Sequence, residues 1–301
     1  MAASPMEVLG VTESVLLSGA LVSHIAEECN IRVLLIKGPA ATIVGARPER
    51  TSSDLDVLVH RSDMAVLLNE LEQRGWEARI QEVSEAFPEH SKTLLNPQWP
   101  SDIDVHWRFP GFYADESVVF EFLWRARQAI ELAGRPVWTL SYNDALLVTL
   151  LHALRSPGIG ALLNDVSFCR SKIATAALAH YDRAAELGAL GPLGPVFASL
   201  PETRSLDLRE PPTDWVLRTT ARRSATLRLF HLLETPWRKK PAVLWQALFP
   251  SRESIGWHDL RLRDTSIWQQ SPYRLLRIWR SLGDGFHILK EVREIRSRIP
   301  K

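Results

Sequence analysis

A short pattern that occurs twice constrains this chain more than any other feature. Ser53-Asp54-Leu55-Asp56-Val57-Leu58-Val59 and Ser101-Asp102-Ile103-Asp104-Val105-His106-Trp107 each alternate apolar, largely β-branched residues with carboxylates, the signature of a β-strand. Side chains two apart on a strand share a face. Asp54 and Asp56 therefore project together from the first segment, and Asp102, Asp104 and His106 from the second, with Leu55, Val57, Ile103, Val105 and Trp107 turned the other way. Like charges held that close raise each other's pKa unless a cation lies between them. Oxygen ligands at this spacing suit Mg²⁺, which keeps several waters and takes further ligands from substrate phosphates. Two solvated aspartates at a strand end would produce the first motif alone. The second motif favours a shared site, because two strands of one sheet can then bring three carboxylates around a pair of divalent ions, as an in-line phosphoryl displacement needs.

A third stretch lies upstream. Val33-Leu34-Leu35-Ile36 reads as a buried strand and ends in Lys37-Gly38-Pro39, ahead of a helix over 40–46. A glycine there lets backbone approach a phosphate, the helix start offers N–H groups, and the lysine supplies a point charge.

The order Ile36-Lys37-Gly38, Arg50, Ser53-Asp54-Leu55-Asp56-Val57-Leu58-Val59 and Ile103-Asp104-Val105-His106-Trp107 resembles the uncharacterised nucleotidyltransferase family of the polymerase-β-like nucleotidyltransferase superfamily. The likeness continues at His152 and at Asp165, and more loosely to about Tyr273. At the turn this chain has Lys37-Gly38-Pro39 where the wider superfamily has Gly-Ser or Gly-Gly. The resemblance implies an α+β fold, a nucleotidyltransferase-like mixed β-sheet with flanking helices followed by a mostly α-helical C-terminal region. It implies an Mg²⁺-dependent enzyme that moves a nucleoside monophosphate from an NTP to an acceptor hydroxyl or phosphate and releases pyrophosphate. Asp54, Asp56 and Asp104 would be catalytic and hold the metal, two ions being expected. Lys37, Gly38, Arg50, Ser53, His106 and His152 would bind the nucleotide. Members of the family occur among genes for modified peptide natural products, so the expected acceptor is a peptide, a protein or a small molecule.

The rest of the sequence bounds these expectations. With 46% hydrophobic and 24% charged residues the composition is that of an ordinary globular protein. The formal net charge of +1 argues neither for a nucleic-acid coat nor for an acidic partner, although the stretch after Thr235 carries 14 Lys and Arg against 6 Asp and Glu. Two cysteines, Cys29 and Cys169, make no disulfide framework and fit a reducing, cytoplasmic setting. No apolar run reaches the ~20 residues that span a bilayer, so no membrane is expected.

Helices are expected at 6–29, 62–74 and 116–127, strands at 31–37, 53–60, 76–82, 91–96 and 101–108, and a hairpin over 129–140 turning at Gly134-Arg135-Pro136. Ser141 and Asp144 read as a capping box opening a helix through Leu154. From there the periodicity is helical, which places a catalytic domain in 1–140 and a helical domain in 141–301. His24 reads as a surface or packing residue. His90, in a polar loop, could touch substrate. His152 and Asp165 could form a bracing pair under the nucleotide or serve structure alone. Six tryptophans from Trp215 to Trp279, mixed with arginine and lysine, read as core with a solvated basic rim. A surface for single-stranded nucleic acid is the competing reading and is not favoured. A catalytically inactive nucleotide-binding or partner-binding module and a metal-dependent phosphohydrolase remain alternatives to transfer.

Overall fold

The computed structural model describes residues 9–79, 87, 89–155, 160–248, 265–266, 269–272 and 283–299. They fall into two compact units, one drawn from 1–78, 90–154 and 159–210, the other from 79–89, 155–158 and 211–301.

The first unit is organised by a seven-stranded mixed sheet in the order β3-β4-β5-β2-β1-β7-β6. Its strands are β1 (Val33–Leu35), β2 (Asp54–Val59), β3 (Glu77–Ala78), β4 (Ser91–Leu95), β5 (Asp102–His106), β6 (Gln128–Leu132) and β7 (Arg135–Thr139). The two Asp-bearing strands lie side by side in its middle and run parallel, with Asp54 opposite Asp102 and Asp56 opposite Asp104. A parallel pair needs a crossover, and here α3 (Met64–Gln73), β3 and β4 provide it. Gly75, at φ +83, ends α3 as expected, because the left-handed conformation closes the last turn without a Cβ clash.

Alternation does what the pattern predicts. Leu55, Val57, Val59, Ile103 and Val105 enter one buried cluster with Val15, Val22 and Ile25 of α1 (Val11–Glu28) and Leu67 and Leu71 of α3. The opposite face carries Asp54, Asp56 and Asp104. Strand β2 and the helices over 64–73 and 116–125 are two or three residues shorter than the periodicity suggests and β1 is four shorter, while the expected helix start at 6–8 and strand end at 80–82 lie outside the described residues. The short helix α2 (Gly38–Ile43) begins two residues earlier than expected. The β6–β7 hairpin turns at Ala133-Gly134, both at positive φ, so Arg135 and Pro136 belong to β7. Two left-handed residues match the twist of the flanking strands better than the Gly134-Arg135-Pro136 turn read from the sequence.

Helices α4 (Glu116–Arg125), α5 (Tyr142–Leu154), α6 (Gly160–Ala174), α7 (Ala177–Glu186) and α8 (Leu190–Phe197) complete this unit. The helices just after residue 140 thus share a compact unit with the sheet. Burial explains it: Asp144 to Leu151 of α5 are all buried, so this helix has no face to leave in water. Ser141 Oγ accepts the Asp144 N–H at 3.3 Å, half of the expected box, while the Asp144 carboxylate takes a two-point pair from Arg183 of α7 at 2.8 and 2.6 Å.

The second unit is helical, with α9 (Thr213–Thr220), α10 (Ser224–Glu234), α11 (Lys240–Leu248) and α12 (Gly285–Arg298). Leu217, Phe230, Val292 and Ile295 form its core. The buried Glu291 carboxylate accepts from Thr226 Oγ at 2.6 Å and from the Arg222 N–H, and pairs with Arg223. Trp215 is buried as expected, but Trp237 and Trp245 are 74% and 65% exposed. Trp257, Trp268 and Trp279 lie outside the described residues. Among the described residues no helix is long and apolar enough to cross a membrane.

Candidate active site

Asp56 is the hub. Strand β2 buries it to 4% exposure, and two donors converge on its Oδ1: Lys37 Nζ at 2.5 Å and His106 Nε2 at 2.9 Å. Lys37 reaches it from the end of the β1 segment, where the Ile36 N–H bonds to the Asp56 carbonyl and fixes the two chains together. Burial would raise the Asp56 pKa, but the Lys37 ammonium and the His106 hydrogen bond reverse this and hold it well below the ordinary carboxylate range. The two aspartates therefore do not raise each other equally, as their spacing alone suggested. Asp54 is raised, by burial first and by the Asp56 charge second, with Lys37 opposing. A lysine 19 positions away in sequence breaks the symmetry.

His106 is 2% exposed, and burial lowers its pKa even beside Asp56. A neutral ring facing a carboxylate donates through Nε2, which leaves Nδ1 as a bare acceptor, and no hydrogen-bond partner faces it among the described residues. The ring also packs between His90 and Phe109, with centroids 5.7 and 6.3 Å away. His90 thus stands against His106, and its backbone carbonyl accepts the Trp107 N–H.

Asp104 comes next. The parallel register sets it opposite Asp56, and its buried Oδ1 lacks a hydrogen-bond partner among the described residues. One donor atom each from Asp56, Asp104 and His106 lie within 4.8 Å of one another, a group that could hold a metal ion. Two carboxylates, one with an oxygen left over in a buried setting, fit a hard cation, and an imidazole at the rim is compatible with one. Asp54 stands outside that tight group but feels the Asp104 charge.

A cleft of about 170 Å³ opens beside Asp56. Lys37, Gly38, Arg50, Ser53, Asp54, Asp56 and His152 line it, so most of the sequence-predicted nucleotide contacts meet there, whereas Asp104 and His106 are not among its lining residues. Gly38 sits at φ +61, and a Cβ on it would come 3.3 Å from Ser52 Oγ, so glycine is what the turn requires. Pro39 falls in the first turn of α2, which removes an N–H from that helix start.

The sequence reading missed Arg47 and Thr149. Arg47 is 8% exposed and staples the loop before β2, donating to Thr42 Oγ at 3.2 Å, the Arg50 carbonyl at 2.9 Å and Ser52 Oγ at 3.1 Å. Burial and the neighbouring Arg50 charge lower its pKa to about 10. No motif marks it; the signal was its place in a Gly-Ala-Arg-Pro turn directly ahead of the Asp-x-Asp strand. Asp165 of α6 pairs with Arg50, whose Nη1 lies 2.9 Å from Oδ2. Cys169, one turn further along α6, is fully buried, and burial pushes its thiol up to about 12, so it supplies no nucleophile.

A family model described as uncharacterised nucleotidyltransferase matches residues 20–167, the segment that carries the strands and cleft above. No curated protein matches the chain. Among solved structures, the chain is similar to the solution structure of the antibiotic-resistance factor ANT(2'')-Ia, with 13% identity over 60% of this chain and 95% of that one and a TM-score of 0.40. The lincomycin-bound lincosamide antibiotic adenylyltransferase LnuA shows 15% identity over 52% and 95%, with a TM-score of 0.35. An antigenic nucleotidyltransferase-like protein from Paracoccidioides brasiliensis shows 14% identity over 60% and 94%, with a TM-score of 0.37. Likeness at this level assigns no substrate to this chain.

Proposed function

We propose that this chain, whose residues 20–167 match the model of the uncharacterised nucleotidyltransferase family, transfers a nucleoside monophosphate from an NTP to an acceptor hydroxyl or phosphate and releases pyrophosphate. The observation that supports this most is the in-register pair Asp56–Asp104, with donor atoms within 4.8 Å of each other and of His106, next to a cleft walled by Lys37, Gly38 and Arg50.

Asp54, Asp56 and Asp104 would hold Mg²⁺, and the orphaned Asp104 oxygen is the feature of the structure that best fits a cation. Bound there, the metal supplies charge neutralisation and alignment of phosphate oxygens. The chain's own groups do the rest. Lys37 and Arg50 offset triphosphate charge, and the left-handed Gly38 lets backbone approach a phosphate oxygen. His106, through its Nε2–H, holds Asp56 in one orientation. Asp104 accepts or orients the proton of the acceptor hydroxyl, for which position ranks ahead of pKa. Ser53 and His152 contact the nucleotide from the cleft lining. Catalysis of this kind is positioning and charge balance, with no covalent intermediate on the protein.

The acceptor class is a small molecule, a peptide or a protein. The deciding experiment incubates the full chain with Mg²⁺, labelled ATP or GTP and a cell extract, and reads pyrophosphate release together with the mass shift of one nucleoside monophosphate on an acceptor. Transfer that disappears with EDTA and with Asp104→Asn is the expected result. NTP binding with no pyrophosphate from any of the four nucleotides would instead support an inactive nucleotide-binding module, and release of orthophosphate alone a phosphohydrolase.

A further inference from the structure

Three cations face the cleft, and they are not equivalent. Lys37 is paired with Asp56 at 2.5 Å, so its charge is shared between that carboxylate and any phosphate. Arg47 is committed to its own loop by three hydrogen bonds. Arg50 alone of the three keeps 27% of its side chain exposed, while its Nη1 forms an ion pair at 2.9 Å with Asp165 Oδ2, a buried oxygen that has no hydrogen-bond partner among the described residues. Arg50 sits in the irregular stretch between α2 and β2, where nothing in the backbone fixes the direction of a long side chain. Asp165, by contrast, lies on the fifteen-residue helix α6 and is 1% exposed. A carboxylate this buried needs a nearby cation, so the pair constrains both partners.

The geometry points to Asp165 as a positioning residue: it anchors the Arg50 guanidinium so that the free side of its planar fork faces the cleft and receives a phosphate group in a two-point contact. This rests on the triphosphate-binding reading of the cleft and adds to it Asp165, a residue of α6 at the cleft wall that acts through Arg50. Arg47 supports the same end by fixing the Arg50 carbonyl, so the loop is held from within and its guanidinium from across the cleft. Burial raises the Asp165 pKa while Arg50 and Arg47 oppose, which fits a carboxylate whose charge depends on those two partners.

The test uses inorganic tripolyphosphate as the probe, titrated calorimetrically into the full chain as wild type, Asp165→Asn, Arg50→Ala, Arg50→Lys and the Asp165→Asn/Arg50→Ala double variant. Asp165→Asn is expected to weaken binding about tenfold, and the double variant to bind within about twofold of Arg50→Ala, because the two residues act as one unit. Arg50→Lys keeps the charge but loses the fork, and is expected to weaken binding about tenfold with Asp165 intact. With NTP as substrate, Asp165→Asn should raise KM while leaving kcat nearly unchanged. Wild-type affinity in Asp165→Asn, losses that multiply in the double variant, or no tripolyphosphate binding by the wild type would each overturn the assignment. If Asp165→Asn lacks a cooperative thermal transition, Arg50→Lys decides alone, and wild-type affinity there refutes the fork. Coupled losses of tripolyphosphate in a protein that never releases pyrophosphate would sink the transferase reading and keep the anchor; turnover without coupling would do the reverse.

Discussion

Asp56 and Asp104 are aimed by neighbouring strands whose register leaves them one face to occupy, whereas Arg47, Arg50 and Asp165 come from a loop and a helix and are placed by side-chain contacts, Arg47 by Thr42, Ser52 and the Arg50 carbonyl and Arg50 by Asp165. The first arrangement is specified locally, residue by residue, through the alternation of the strand. The second exists only once distant segments have packed. Under the proposed function, the carboxylates that would hold a cation sit on the sheet, and the groups that would meet a triphosphate sit on the loop. Rigid elements give precision, and loops give access.

The comparison can be broken most severely at the strands. Asp56→Asn and Asp104→Asn should each lower pyrophosphate release by at least about 10³-fold, the scale seen when a preorganised charge is removed from a phosphoryl or acyl transfer site. A circular dichroism spectrum matching the wild type must accompany that loss. Retention of more than a tenth of the rate by either variant would show that the strand pair does not carry the chemistry.

Lys37 joins the two regions, and Lys37→Met tests the join. It leaves the buried Asp56 charge without its ammonium, so stability should fall by about 3 kcal/mol, read from the urea midpoint. The same pair sets an acid limit. Since the folded-state pKa of Asp56 is depressed, its contribution to stability is complete above the ordinary value of 3.8 and is lost as pH falls below it. In EDTA, the difference in unfolding free energy between wild type and Asp56→Asn should stay constant from pH 7 to about pH 4 and shrink below that. A difference already shrinking at pH 6 would mean that Lys37 and His106 do not hold the carboxylate ionised.

The smallest effect belongs to the turn. Gly38→Ala forces an alanine to φ +61 with its Cβ 3.3 Å from Ser52 Oγ, and should cost about 1 kcal/mol of stability while raising KM for the NTP. A neutral or stabilising result would show that the loop shifts freely, and that the contrast between fixed strands and placed loop is weaker than drawn.

What could be read in advance follows the same division. The two strands, their shared face and the apolar cluster behind them were legible because period-two alternation is a local signal. The family resemblance was legible for the same reason, since its motifs sit on those strands. The identity of the Asp56 partners was not: the motifs mark Lys37 and His106 without saying which carboxylate they touch, and only the folded chain brings both within 3 Å of one carboxylate oxygen. Arg47 carries no motif. The tryptophans mark the limit of composition as a guide, because Trp215 is 4% exposed while Trp237 is 74% exposed, and ring size does not say which side of a helix faces a neighbour. The helices after residue 140 read as a separate domain because their periodicity changes there, yet contact rather than periodicity defines a compact unit.

The parallel pairing of β2 with β5 also bears on how the protein comes into being. His106 meets Asp56 from fifty positions further along the chain, and α3, β3 and β4 must be accommodated before the two strands can join. Pairing over such a separation is slow to find, since the loop must close before any contact rewards it. A nascent polypeptide still lacking β5 therefore carries Asp54 and Asp56 at an unguarded strand edge, and acquires its cation-binding cluster in the same event that seals that edge.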